Sequence, residues 1–259
     1  MLLKDKVVII TGVGPGMGCK MATIAAAEGA SVVMSARSAA FIDGVAAEIV
    51  AAGGRAIAVP SDVTRIEDCD RVAQAAIDAY GRIDGLVNSA FRFVGGLPFG
   101  REALPEWQAS LDVALFGTLK MIDAVVPHMK ARREGSIVNV STRSTMQPLA
   151  GEGPYVAAKT ALLGVSRQLA MEFGPYNIRV NSPRMGWLWG DPVRSYLTAK
   201  AEKRGVPLDE VVAEIVRDIP LGVIPPDEEC ARSVLFFLSD HARMVTGTSL
   251  DINGGQFMM

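Results

Sequence analysis

Cysteine is scarce in this chain: Cys19, Cys69 and Cys230 are the three in 259 residues, odd in number and scattered. No Cys-x-x-Cys pair occurs. A disulfide framework is therefore not expected, and a reduced, cytoplasmic compartment is. Histidine is scarcer still. His128 and His241 lie far apart without metal-ligand spacing, so they read as helix-end or surface residues and no metal is expected. No uninterrupted apolar run reaches about 18 residues, so no membrane span is expected. The start, Lys4-Asp5-Lys6 running directly into Val7, does not fit a signal peptide. The net charge of −2 provides no strong field for nucleic acid or a membrane surface. Low-complexity tracts and solenoid-type repeats are also missing.

What is present is a balanced globular composition, 49% hydrophobic and 21% charged, enough for a sizeable core. Val7–Ile10 is an uninterrupted β-branched run, as expected for a strand buried on both faces of a parallel sheet. It feeds Thr11-Gly12-Val13-Gly14-Pro15-Gly16-Met17-Gly18, and a helix with Met17, Met21, Ile24 and Ala25 on one side follows. Strand, glycine turn and helix form a pyrophosphate-binding arrangement. The glycines (Gly12, Gly14, Gly16, Gly18, with Pro15 and Met17) let the backbone approach phosphates, and the helix N-terminus offers free N–H groups. The next strand, Ser31–Met34, leads to Arg37-Ser38, about 20 residues after the glycines, where such folds select their cofactor. No carboxylate stands there. Arg37 suits a 2′-phosphate, so NADP is favoured, with NAD as the alternative. After Ala56–Val59 comes Asp62-Val63, where Asp62 can bond an adenine amino group or cap the helix beginning near Ile66. Leu86–Asn88 is another buried strand, ending in Asn88-Ser89-Ala90-Phe91. The repeated strand–helix alternation predicts a doubly wound, three-layer αβα sheet of the Rossmann type.

A long helical run over about 154–173 carries Tyr155 and Lys159. Positions i and i+4 share a helix face, so the phenol and the ammonium point the same way. A free tyrosine titrates near pH 10. A cation a few ångströms away favours the phenolate, so a lowered tyrosine pKa is expected. Such a phenol can give a proton to a carbonyl or take one from an alcohol.

Taken together, Thr11-Gly12-x-x-x-Gly16-x-Gly18, Asp62-Val63, Asn88-Ser89-Ala90, Ser136–Thr142, Tyr155-x-x-x-Lys159, Ile178–Asn181 and Asn253-Gly254-Gly255 resemble the short-chain dehydrogenase/reductase family in order and spacing. The resemblance covers almost the whole length. It implies a single Rossmann-type domain over residues 1–259 with about seven parallel strands, an NAD(P) cofactor, and hydride transfer between cofactor and a carbonyl/alcohol pair. It also implies a homotetramer, with a homodimer as the alternative. Tyr155, Lys159 and Thr142 would be catalytic, Thr142 standing where the family has its serine, with Ser141 and Ser144 as neighbouring hydroxyls. Gly186 and Leu188 would join the cofactor site.

Three departures stand near the reaction centre. Ala114 replaces a family asparagine that supports a water relay to the lysine, Phe91 replaces a glycine, and Met185 replaces a proline. They keep a second function open, a weakly active cofactor-binding sensor or scaffold. A third is a 3-oxoacyl-thioester reductase. The run 184–225 reads as a substrate-covering insertion, helical from about Val193 to Pro220, with a subunit-contact arm as the alternative. Trp187 and Trp189 within it, with Phe91 and Phe93, would line an apolar pocket for a small hydrophobic carbonyl or alcohol substrate. Asp227–Ser239 reads as an N-capped amphipathic helix, and Thr248–Ile252 as the last strand.

Overall fold

The computed structural model describes residues 1–258. In chain order it begins with strand β1 (Val7–Thr11), helix α1 (Met17–Ala27), β2 (Ser31–Ala36), α2 (Ala39–Ala51), β3 (Arg55–Pro60), α3 (Ile66–Tyr80) and β4 (Gly85–Asn88). There follow α4 (Leu104–Leu111), a π-helical turn over Asp112–Phe116, α5 (Gly117–Arg132), β5 (Gly135–Asn139), β6 (Ser141–Thr142), α6 (Gly153–Phe173), β7 (Ile178–Asn181) and β8 (Arg184–Met185). The chain ends with α7 (Asp191–Arg204), α8 (Leu208–Val216), α9 (Asp227–Phe236) and β9 (Asp251–Ile252).

The main sheet is parallel, in the order β3-β2-β1-β4-β5-β7. Side chains alternate across a strand, and β1 shows the consequence. Val8 and Ile10 join the core under α1, α2 and α9 with Met21, Ile42 and Val234. Val7 and Ile9 join the opposite core under α3, α5 and α6 with Val72, Met121 and Phe173. That two-sided burial is why the strands read as continuous apolar runs. Because β1 pairs with both β2 and β4, the strand order reverses there, and a crevice opens at the carboxyl ends.

Six strands form this sheet, fewer than the seven expected. Residues 246–250 do run beside β7: the Gly247 N–H donates to the Val180 carbonyl (2.7 Å) and the Ser182 N–H to that of Thr248 (2.9 Å). Two further rungs are made by side chains, Val180 N–H to Thr246 Oγ1 (3.1 Å) and Thr248 N–H to Asn181 Oδ1 (3.2 Å). The regular ladder is interrupted, and the expected strand Thr248–Ile252 shrinks to Asp251–Ile252. That pair belongs to a small separate sheet, β6-β8-β9. This small sheet carries a buried ion pair, in which an Arg184 side chain only 1% exposed reaches Asp251 at 2.7 Å. Removing one member of a buried pair leaves a desolvated charge. We expect Asp251→Asn to lower stability by about 2 kcal/mol, discounted because Asp251 is partly exposed. A denaturant titration checks it by a lower midpoint at unchanged slope.

The segment after β8 builds a satellite core. Leu197 and Ala201 of α7 pack on Val211 of α8 and on Ile219 and Ile224. The helix expected from Val193 to Pro220 is broken at Gly205, whose φ of +66° ends α7, and at Pro207 before α8. Helix α9 begins at Asp227, but its cap position is Pro226 and no side chain caps it, so the expected N-cap is corrected.

Candidate active site

At the crevice, Gly12 has φ +71°, and a Cβ on it would lie 2.5 Å from the Ala90 backbone nitrogen. Only glycine lets the first turn lie this close to the end of β4. A Cβ on Gly18 would lie 2.7 Å from the Gly12 carbonyl oxygen, so α1 packs directly on its own entry turn. No side chain caps α1, which leaves its first N–H groups facing the crevice. Below this turn is a cavity of about 260 Å³. Gly12, Gly14, Pro15, Gly16, Met17 and Gly18 line one end of it. Thr142, Tyr155 and Lys159 line it too, with Ser89 and Phe91 from the end of β4 and Gly186 and Leu188 from the loop after β8. A backbone cradle at an open helix N-terminus, continued by a mostly apolar slot, fits a dinucleotide pyrophosphate and a flat ring.

Thr142 ends β6. Its hydroxyl accepts from the Ser144 N–H (3.3 Å), lies 3.4 Å from the Ser144 hydroxyl, and is near enough to the Tyr155 phenol to favour its ionised form. Phe91 and Phe93 pack on the tyrosine ring, with centroids 5.9 and 5.4 Å away. Lys159, one turn on along α6, is 2% exposed and donates to the Val140 carbonyl at 2.6 Å. The expected acidic phenol is not found in the chain by itself. Burial pushes the Tyr155 phenol up to about 12, opposed by the Thr142 hydroxyl, and burial pushes Lys159 down to about 8. Lys159 is buried and Tyr155 half-buried, and desolvation of each charged form is the largest cause of both shifts.

Arg37 and Ser38 are exposed at the end of β2, outside the cavity lining, and the Ser38 hydroxyl does not cap α2. Asp62 accepts from the Thr64 N–H (2.9 Å) and hydroxyl (2.8 Å). These bonds, with the nearby Arg37 cation, hold its carboxyl below the usual range. The Asp62 side chain thus closes the turn before α3, whose cap position is Arg65, and the capping role anticipated for it is corrected. Val63 is buried where a Cβ on Gly117 would touch it at 2.7 Å. Asn88 donates to Asn139 Oδ1 (2.9 Å), and the Ser89 N–H donates to the Thr11 hydroxyl (3.3 Å). Both bonds fix the strand ends rather than reach into the cavity.

Trp187 and Trp189 are half-buried in the satellite core and do not line the cavity. Trp187 stacks on Tyr196, and Arg194 lies over Trp189. Ala114 is fully buried inside the π-helical turn, and the Thr118 hydroxyl donates to its carbonyl at 3.0 Å. Two further cavity residues bear on the chemistry, Ser141, expected as a neighbouring hydroxyl, and Asp227, not expected at the site. Ser141 presents a buried hydroxyl without a protein partner. Asp227, read in the sequence as a helix cap, turns its carboxylate into the cavity. The sequence signal for it was Gly190, whose absent side chain leaves the space: a Cβ there would lie 1.9 Å from Asp227 Oδ2.

Among the described residues no helix is long and apolar enough to cross a membrane, and no cluster of metal-ligating side chains occurs. A family model described as enoyl-(acyl carrier protein) reductase matches residues 12–256. The short-chain reductase protein NovJ of Streptomyces niveus is 33% identical over 98% of this chain and 94% of its own length. Trans-4-hydroxycyclohexanecarboxylate dehydrogenase of Sinomonas cyclohexanicum is 34% identical over 97% of this chain and 93% of its own. The crystal structure of levodione reductase superposes with a TM-score of 0.89 at 27% identity, covering 98% of each chain. With the glycine turn, the Tyr155/Lys159 pair and the fold in agreement, the chain belongs to the short-chain dehydrogenase/reductase family of nicotinamide-dependent oxidoreductases.

Proposed function

We propose that the protein interconverts a small hydrophobic ketone and its secondary alcohol, with NADP preferred over NAD. The observation that carries this reading is the convergence of Thr142, Tyr155 and Lys159 on the cavity that the glycine turn caps. The bound nicotinamide supplies or accepts the hydride. In the reducing direction the Thr142 hydroxyl orients the substrate oxygen and Tyr155, neutral at ordinary pH, donates its proton to that oxygen. Lys159 holds positive charge behind the phenol and steadies the tyrosinate left after the transfer. Phe91 and Phe93, each packed on Tyr155 and each more than half exposed, give the substrate an apolar approach. Residues 184–225 cover the site. Gly186, Leu188 and Val193 face the cavity; Val193 packs on the satellite core and Leu188 on the core beneath α1 and α9. The active unit is a homotetramer or homodimer in the cytoplasm.

Preference for NADP rests on Arg37, which is exposed at the end of β2, and on the free Ser38 hydroxyl beside it. Arg37→Ala is expected to weaken NADPH binding about tenfold while leaving NADH within about twofold. Fluorescence titration of both cofactors checks this, and equal losses for the two would remove the preference. The reading as a whole is tested by screening cyclic and aryl ketones with the tighter cofactor. Turnover below about 1 s⁻¹ on every ketone and alcohol would leave a binding module or sensor instead. The enoyl-(acyl carrier protein) reductase description of the matching family model supports one rival, an acyl-thioester reductase. Faster turnover of a 3-oxoacyl thioester than of any simple ketone would establish that rival.

A further inference from the structure

Asp227 is 7% exposed and lines the cavity directly beside the glycine turn. Its Oδ2 lies 3.3 Å from where a Cβ on Gly16 would stand, at the entry to α1, and fills the space left by Gly190. Among the described residues no group donates a hydrogen bond to this carboxylate. The charged groups facing it are Lys20 from α1, Asp191 from α7 and Glu228 from its own helix. The one cation, Lys20, is already paired with Glu228 at 3.0 Å. A carboxylate in this position meets a dianionic pyrophosphate with like charge, and like charges in a poorly solvated site do not both persist. A protonated carboxyl removes the repulsion and becomes a donor to a phosphate oxygen. Burial already pushes Asp227 above the ordinary carboxylate range, with Asp191 and Glu228 acting in the same sense and Lys20 against them.

We propose that Asp227 is a cofactor-binding residue that takes up a proton when the dinucleotide binds and donates it as a hydrogen bond to the pyrophosphate, so that cofactor affinity falls as pH rises. The balance is simple: one proton passes from solvent to Asp227 on binding and returns on release. The dissociation constant rises with pH while the complex holds Asp227 protonated and the free protein does not. It levels off once the carboxylate is ionised in both states. This inference rests on the cofactor reading above but not on any substrate.

The probe is ADP-ribose, which carries the pyrophosphate but neither the nicotinamide nor a 2′-phosphate that would titrate in the same range. Calorimetric titration of the intact protein between about pH 5.5 and about pH 8.5 is expected to show an increase of about tenfold in dissociation constant. Repeating it in buffers of different ionisation heat is expected to show net proton uptake. In Asp227→Asn, whose amide copies the protonated acid, affinity is expected to be flat with pH and to match the wild type at its acidic end. A parallel slope in wild type and variant overturns the proposal, as does weaker binding by the variant at every pH. Should the variant fail to fold, zero proton uptake by the wild type overturns it alone. No binding of ADP-ribose at any pH overturns the cofactor reading as well, whereas binding with a flat profile overturns only this inference.

Discussion

Replacing Tyr155 with phenylalanine is expected to lower turnover by about 10³-fold while leaving cofactor affinity within about twofold. The substitution removes one oxygen and keeps the ring against Phe91 and Phe93, so the wall of the site stays in place. The hydroxyl is the proton source in the reducing direction. With the phenol pushed up to about 12 it is fully protonated near neutrality, the correct state for an acid. The reverse direction needs the phenolate, so alcohol oxidation is expected to climb with pH well past neutrality while ketone reduction stays nearly level there. Steady-state rates in both directions, with cofactor binding measured separately by fluorescence, check both statements. Full turnover in the phenylalanine protein would remove Tyr155 from the chemistry and move attention to the Ser141 and Ser144 hydroxyls.

The spacing of Tyr155 and Lys159 was legible because a helix places i and i+4 on one face wherever it lies. Their protonation was not, because it depends on how completely the surrounding chain removes water from both groups, and sequence spacing carries no measure of that. The central strands were legible for a similar reason: β1 and β2 must offer apolar side chains to two cores at once. At the last strand, Thr246 and Asn181 take ladder positions with their side chains, and that substitution has no periodic signature. Trp187 and Trp189 were recognisable as apolar residues in a loop. Composition could not say whether they would turn toward the cavity or toward the helices α7 and α8, and the structure packs them with the helices. Asp227 ahead of a helix reads as a cap from local sequence alone. Its position in the cavity is decided by Gly190, distant in sequence and adjacent in space.

Lys159→Met is expected to lower turnover by about 10³-fold or more, and yet to give a cofactor-free protein at least as stable as the wild type near neutral pH. The first half follows from losing the positive charge behind the phenol. The second follows from burial: the ammonium is 2% exposed, makes a hydrogen bond to the Val140 carbonyl, and is pushed down to about 8. A methionine of similar length and flexibility fills the space without a charge to desolvate. The pH dependence has a definite sign. The folded pKa lies below the unfolded value of about 10.4. Between about 8 and about 10.4 the unfolded chain therefore holds more protons at this position, and wild-type stability rises with pH across that window. The full change is on the order of 3 kcal/mol. Tyr155 opposes it only above about pH 10, where the unfolded phenol ionises and the folded one, raised to about 12, does not. The variant's stability advantage should therefore narrow as pH rises from about 8 toward about 10. Denaturant titrations of both proteins across that range measure the gap directly. A gap that stays constant would mean Lys159 is neither desolvated nor depressed. A gap that closes, alongside lost turnover, identifies a charge held in the interior against the stability of the fold because the reaction needs it there.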